Sequence, residues 1–195
     1  LPTVWAICED SRKIFWFGTT NGLVKATRKD TTKLVTSYPV IKDAFSSIEK
    51  TSFKELSTQI SSIVEDNEHQ LWIGTRNNGV FRFNVEKNSL RHFRHSENDS
   101  KSLANNSILS IRKFSNGDIW ICTFNGISVV SGKKKTIRNI YLKNYDPSMV
   151  NYTIDVFEDK DNLMWISTTT GMARYDLQKN AMRVFQHKQN DKHGL

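Results

Sequence analysis

The side chains that could do chemistry are scattered. Histidines stand at positions 69, 92, 95, 187 and 193. His92 and His95 are three apart, a spacing that sends them to opposite faces of a strand. They do not read as a metal pair. Asp159-x-Asp161 has the opening of a calcium loop, but the Gly and closing Glu of such a loop are absent. Cys8 and Cys122 share no metal-ligand spacing and read as two structural thiols. No nucleophile elbow or phosphate loop is present. The Glu-Asp pairs Glu9-Asp10, Glu65-Asp66 and Glu158-Asp159 have the residue types for glycoside cleavage. They recur at equivalent places, however, which assigns them to architecture. The expectation is a binding protein with no catalytic residue, metal or cofactor. The polar and aromatic residues suited to binding are Arg76, Asn77, Lys101, Asn106, Phe124, Asn125 and Tyr152. Arg and Asn suit sugar hydroxyls or sulfates, and Phe124 and Tyr152 could stack on a sugar ring.

Those residues can act together only if the fold gathers them, so the elements come next. The 195 residues suffice for one domain with a real core. Aromatics reach 11%, which favours strands over helices. No apolar run approaches the roughly 18 residues of a membrane span. The chain begins without Met and its first residues already read as a strand, which suggests a piece of a longer protein. The net charge of +8 raises nucleic acid, membrane surfaces and polyanions as partners. No nucleic-acid motif accompanies it, and the aromatics are needed in a core. The dense run Lys133 to Lys135 follows Gly132 and reads as a solvated turn.

The chain repeats itself. "DNEHQLWIGTRNNGVFRF" from Asp66 has counterparts in "EDSRKIFWFGTTNGLVKA" from Glu9, "KFSNGDIWICTFNGISVV" from Lys113 and "EDKDNLMWISTTTGMARY" from Glu158. These align Trp16, Trp72, Trp120 and Trp165. They also align Gly22, Gly79, Gly126 and Gly171, with a Thr always three residues after the Trp. Within a unit, apolar runs alternate with polar turns, which gives four short strands. Asn-Gly between the second and third runs predicts a tight primed turn with positive φ at both central residues. In "LWIGT" the Trp and Gly share one face, and Leu, Ile and Thr share the other. Both faces are apolar, so the strand must be covered on both sides. The fold class is therefore all-β, with four four-stranded antiparallel blades of a β-propeller. Each Trp is expected between adjacent blades, and the Gly two residues after it is expected to make room for the neighbour's indole. The Asp six residues before the Trp is expected to cap the first turn.

Residues 1–195 form one partial propeller, with blades about 4–58, 60–106, 108–152 and 153–188. The first blade carries an insertion, in which Phe45 to Leu56 has some helical character. Four blades fit an arc of a larger, seven-bladed ring better than a closed one. An arc leaves two apolar faces open, which predicts self-association through them. The candidate binding residues would lie on the face made by the strand 2–3 turns and the connections between blades.

The repeated pattern resembles the two-component regulator propeller repeat. "ISSIVEDNEHQLWIGTRNNGVFRFNVEKNSLRHFRHSENDSKSLANNSI" is similar to a full copy, and "TIDVFEDKDNLMWISTTTGMARYDLQKNAMRVFQH" is a good second. The third unit departs at Phe114 and Cys122, and the first departs after Val35. The resemblance implies the periplasmic sensor region of a membrane-anchored hybrid histidine kinase of Bacteroides type. It further implies a response to oligosaccharides, including anionic ones, that controls polysaccharide-utilisation genes. The alternative is an interaction or dimerisation scaffold that touches no sugar.

Overall fold

The computed structural model describes residues 2–29, 33–36, 58–142 and 152–186. The Phe45–Leu56 segment, His187 and His193 lie outside them. The described residues form four antiparallel meanders. Blade 1 holds β1 (Val4–Glu9), β2 (Ile14–Thr19), β3 (Gly22–Lys29) and β4 (Lys33–Thr36). Blade 2 holds β5 (Ile60–Glu65), β6 (Leu71–Thr75), β7 (Val80–Asn84) and β8 (Ser89–Phe93). Blade 3 holds β9 (Ile108–Lys113), β10 (Ile119–Thr123), β11 (Gly126–Val130) and β12 (Ile137–Ile140). Blade 4 holds β13 (Thr153–Glu158), β14 (Leu163–Thr168), β15 (Gly171–Asp176) and β16 (Ala181–Gln186). The first strands β1, β5, β9 and β13 lie side by side in that order. The sheets thus stack face to face around an inner edge, as a partial propeller.

The two-faced second strand builds the seams between blades. Trp16 enters the first seam against Ile63, Leu71, Ile73, Phe81 and Phe83 of blade 2. Trp72 on the other face of β6 packs with Ile108, Ile111, Ile119 and Ile121 of blade 3. Trp120 meets Val156, Met164, Ile166 and Tyr175 of blade 4. Each indole therefore faces the following blade, and the Leu/Ile face of each blade receives the preceding indole. Burying about 200 Å² of indole contributes up to roughly 5 kcal/mol. The fourth indole differs from the expectation. Trp165 projects where a fifth blade would sit, and it is only half-buried.

The room-making glycines also act differently from the expectation. A Cβ on Gly18 would lie 2.6 Å from Ile60 Cγ2, and one on Gly74 would lie 2.7 Å from Ile108 Cγ2. The space serves the first residue of the next blade's inner strand, not the indole. The indole lies further out along the strand and needs no such gap.

The Asp before each Trp does more than cap its turn. Asp66 Oδ1 accepts the N–H groups of Glu68 and Gln70 at 2.8 and 3.0 Å, and its Oδ2 accepts Trp72 Nε1–H at 2.9 Å. Asp10 and Asp159 repeat this with Trp16 at 3.0 Å and Trp165 at 2.7 Å. One carboxylate thus satisfies a turn and the single polar atom of a buried indole. In blade 3 Phe114 takes the place of Asp, and Trp120 Nε1 is buried without a partner. Arg82 adds an ion pair to Asp66 at 2.6 Å and lies 5.4 Å over the Trp72 ring. It continues to Glu68 at 2.8 Å, and Glu68 reaches Lys135 of blade 3 at 2.6 Å. Lys135 is thus a seam residue and not simply solvated.

This network sets an acid limit. Burial would raise the Asp66 carboxyl, but the Trp72, Gln70 and Arg82 donors outweigh it and hold it below its ordinary 3.8. Asp10 is lowered against its own burial by Trp16, Ile14 and Arg12. A folded-state pKa below the unfolded one stabilises the fold above the unfolded value, and that stability is lost as pH falls through the folded value. Stability should therefore hold down to about pH 4 and then drop steeply below it. Urea titrations across pH check this. Asp66→Asn should start less stable at neutral pH and lose less below pH 4.

Cys122 is fully buried, and burial pushes its thiol up to about 12. Neither it nor the half-buried Cys8 is in a disulfide.

Candidate ligand face

The strand 2–3 turns are locked by the repeated Thr. Thr19, Thr75, Thr123 and Thr168 donate their hydroxyls to the carbonyls of Gly22, Gly79, Gly126 and Gly171 at 2.8, 2.9, 2.8 and 3.0 Å. Each hydroxyl also accepts a backbone N–H from the loop, that of Asn21, Asn78, Asn125 or Thr170. Positive φ falls on the four Gly, while Asn21, Asn78 and Asn125 do not adopt it. The primed Asn-Gly turn is thereby corrected. The Gly follows two loop residues in blades 1, 3 and 4 and three in blade 2, and resembles the bulge position that closes a short hairpin. A Cβ on Gly79 would meet Phe93 O at 2.3 Å, which fixes Gly there in any case.

The lock leaves the first loop residue free to vary, and here stand Thr20, Arg76, Phe124 and Thr169. Its backbone is pinned to the connection entering the same blade: Arg76 N–H to Gln59 O at 3.0 Å, Phe124 N–H to Ser107 O at 3.2 Å. Turns and connections thus make one continuous surface. On it the structure brings together three of the candidate residues. The Arg76 guanidinium lies 5.7 Å over the Phe124 ring, and Phe124 and Tyr152 have ring centroids 4.6 Å apart with a 38° tilt. The stack crosses from blade 2 to the entry of blade 4. Phe124 is already in contact with both neighbours, so it holds the stack together, and stacking on a ligand falls to Tyr152 and polar contact to Arg76. Asn77 and Asn125 are exposed at the neighbouring turn tips.

The other two candidates are placed apart from the stack. Asn106 holds the backbone: its Oδ1 accepts His95 N–H and its carbonyl accepts Gly79 N–H, both at 2.8 Å. Lys101 is exposed in the Ser96–Ser102 turn, which is tied by Ser102 O to Asn139 on the outer strand β12 at 3.0 Å. It belongs to the rim.

An inner groove of about 570 Å³ is lined by Trp5, Ser62, Ser110, Arg112, Ile154 and Asp155 among others. Two of its three charged side chains are paired with each other, and Lys113 stands exposed at the same groove. Arg112 pairs with Asp155 through Nε at 2.8 Å and the terminal nitrogen at 2.5 Å, and Ser110 donates to the same carboxylate at 2.8 Å. Burial would raise the Asp155 carboxyl, but Arg112 and Ser110 outweigh it and hold it low. Among the described residues no group of three His, Cys, Asp or Glu could hold a metal. His92 stacks on Phe81 at 4.0 Å and pairs with Asn78 O at 2.7 Å, and His95 pairs with Leu103 O at 2.6 Å.

The model of the two component regulator propeller family matches residues 2–21 and 54–77. These segments hold the first two strands of blades 1 and 2, with the Glu-Asp pair, the Trp and the Thr whose geometry is given above. Two of the four units thus match this repeat model over their first two strands. No curated protein matches its sequence. Solved structures share the architecture. The extracellular domain assigned to a hybrid two-component system of B. thetaiotaomicron superposes with TM-score 0.72 at 22% identity, over 96% of this chain and 25% of that one. The extracellular domain assigned to a one-component system of the same organism gives 0.67 at 20%, over 94% and 25%. Virginiamycin B lyase from Staphylococcus aureus gives 0.63 at 15%, over 97% and 57%. At such identities the likeness establishes the fold. The chain spans about a quarter of the length of the two ectodomains.

Several repeat residues carry roles that the sequence reading did not assign. The Thr locks the hairpin, and the Asp receives the indole N–H. Lys25, Arg82 and Arg174, each three residues after the repeat Gly, lie 5.9, 5.4 and 5.8 Å over their indoles. In blade 3 Val129 takes that place, and its cross-strand partner Arg138 covers Trp120 at 6.0 Å. The spacing of the basic residue was visible, but the pleat that sets it over the ring needed the paired register.

Proposed function

We propose that this propeller is a non-catalytic, extracytoplasmic sensor module of a membrane-anchored two-component receptor, and that its turn face recognises an oligosaccharide. The repeat-family match and the two ectodomain folds support the receptor context. The Arg76–Phe124–Tyr152 stack carries the ligand reading. A half-buried guanidinium beside an aromatic ring suits a sugar ring bearing a sulfate or carboxylate. The output of such a receptor is transcription of polysaccharide-utilisation genes.

The test is calorimetric titration of neutral and sulfated oligosaccharides into the chain and into the whole ectodomain. Arg76→Ala should weaken binding of a sulfated oligosaccharide about tenfold or more, a change of about 1.4 kcal/mol, and spare neutral ones. Tyr152→Ala should weaken both. Heat unchanged by either substitution, or no heat from any glycan, rejects this face as the ligand site.

A further inference from the structure

Two of the three seams, those between blades 1 and 2 and between blades 3 and 4, are closed at the same place by a carboxylate. By register, Glu9, Glu65, Lys113 and Glu158 are equivalent, since each pairs with the residue just before its blade's repeat Trp. In a seam this position faces the residue that follows the turn acid, or its substitute, on the preceding blade. Ser11 gives its N–H and its hydroxyl to the two carboxylate oxygens of Glu65, both at 2.8 Å. Ser115 holds Glu158 in the same two-pronged way, at 3.1 and 3.0 Å. Each carboxylate thus satisfies a turn N–H and a hydroxyl through charge-assisted bonds.

The middle seam, between blades 2 and 3, keeps the turn and lacks the carboxylate. Asn67 stands in the place of the two serines, and Lys113 in the place of the two glutamates. Both are exposed. Among the described residues the Asn67 N–H, its side-chain amide and the Lys113 ammonium have no hydrogen-bond or ion-pair partner. The donors remain, and a cation replaces the acceptor. A Cβ on Gly117 would lie 2.9 Å from Asn67 Nδ2, so the amide rests on the blade 3 turn. Beside it opens a crevice of about 170 Å³, lined by Asn67, Gly117, Ser131 and Lys133 among others. Its apolar lining residues Trp72, Ile119 and Val130 are buried, so what it exposes is polar. Both walls belong to internal blades, and neither depends on what flanks blades 1 and 4.

We propose that the middle seam binds a carboxylate from outside the chain, that of a small hydroxylated acid such as a uronate. The carboxylate stands where Glu65 and Glu158 stand in the neighbouring seams. It accepts the Asn67 N–H and pairs with Lys113, and the hydroxylated body lies in the crevice against Ser131 and Lys133. Lys113 and Lys133 repel a cation, and the polar lining disfavours an apolar body. The site is at the strand 1–2 turns, the end opposite to the Arg76–Phe124–Tyr152 stack, and needs no ligand there.

Sodium glucuronate, titrated into the chain at fixed ionic strength, should move the Asn67 amide resonance with a dissociation constant of about 1 mM. Glucose lacks the carboxylate and acetate lacks the body, and each should bind about tenfold more weakly or worse. Lys113→Glu should weaken glucuronate by about tenfold or more, and Lys113→Arg should keep it. Asn67→Ser with Lys113→Glu rebuilds the internal clamp. That chain should melt no lower than the wild type and show no response to glucuronate. Arg76→Ala should leave the titration unchanged, which separates this site from the turn face. Glucuronate binding that survives in the clamp variant would overturn the proposal, as would acetate or glucose binding as well as glucuronate. So would an Asn67 resonance that stays fixed up to about 100 mM glucuronate.

Discussion

Trp72→Ala lowers the unfolding free energy by about 3–5 kcal/mol, and Trp165→Ala by roughly half of that or less. The two residues hold the same repeat position, so the difference isolates their surroundings. Trp72 is 2% exposed, enclosed by isoleucines of blade 3, stacked on Phe93 at 5.2 Å and bonded to Asp66. Truncation leaves a cavity at a seam between two rigid sheets, where collapse is limited. It also strips one donor from a carboxylate that is itself buried. Trp165 keeps its bond to Asp159 and a stacked Phe185 at 5.9 Å, but it is only half-buried. Its loss opens little enclosed space. Urea unfolding of both variants measures the contrast. Equal costs would mean that the seams are not the source of stability, and the blade-by-blade account would fall.

Much of this architecture was legible because it repeats. Four registered Trp positions, each on a strand apolar on both faces, are enough to demand stacked sheets. The Asp–Trp bond was within reach of the spacing alone, since six residues carry the chain through one turn and back beside its start. Other features were not readable. Which object fills the space over Gly18 and Gly74 depends on how far one inner strand slides past the next blade, and that is set between units, not within them. The turn type was misread for a related reason. Asn-Gly was taken as the centre of the hairpin, but the Thr hydroxyl captures the loop N–H and moves the positive φ one place on. The candidate site was legible as a surface and only partly as a set. Arg76, Phe124 and Tyr152 lie on successive turns or connections, so the fold gathers them. Asn106 was expected on the binding face because it lies on a connection between blades, yet its amide oxygen is used to satisfy the backbone.

Gly74 faces Ile108, and at the equivalent positions of the next seam stand Cys122 and Thr153, which predicts a compensating double substitution. Gly74→Cys alone should cost about 1–3 kcal/mol through overpacking, because its Cβ would press on Ile108 Cγ2 and would lie 3.1 Å from Ile111 Cδ1. The backbone is not the obstacle, since Gly74 lies outside the positive-φ set. Ile108→Thr alone should cost about 2 kcal/mol or more, from lost apolar burial and a hydroxyl placed in a dry seam. Combined, they reproduce the Cys122–Thr153 seam. There the Thr153 hydroxyl donates to Gly126 O at 2.8 Å and accepts Thr123 N–H at 3.1 Å. Thr75 N–H and Gly79 O are the equivalent groups in blade 2, where they are bonded to each other at 3.0 Å and can share the new hydroxyl. The pair should therefore cost at least about 1 kcal/mol less than the sum of the singles, a coupling of the size found for residues in direct contact. Denaturant titrations of the four corners of the cycle measure it. Strict additivity would show that the sizes of these two residues are set independently.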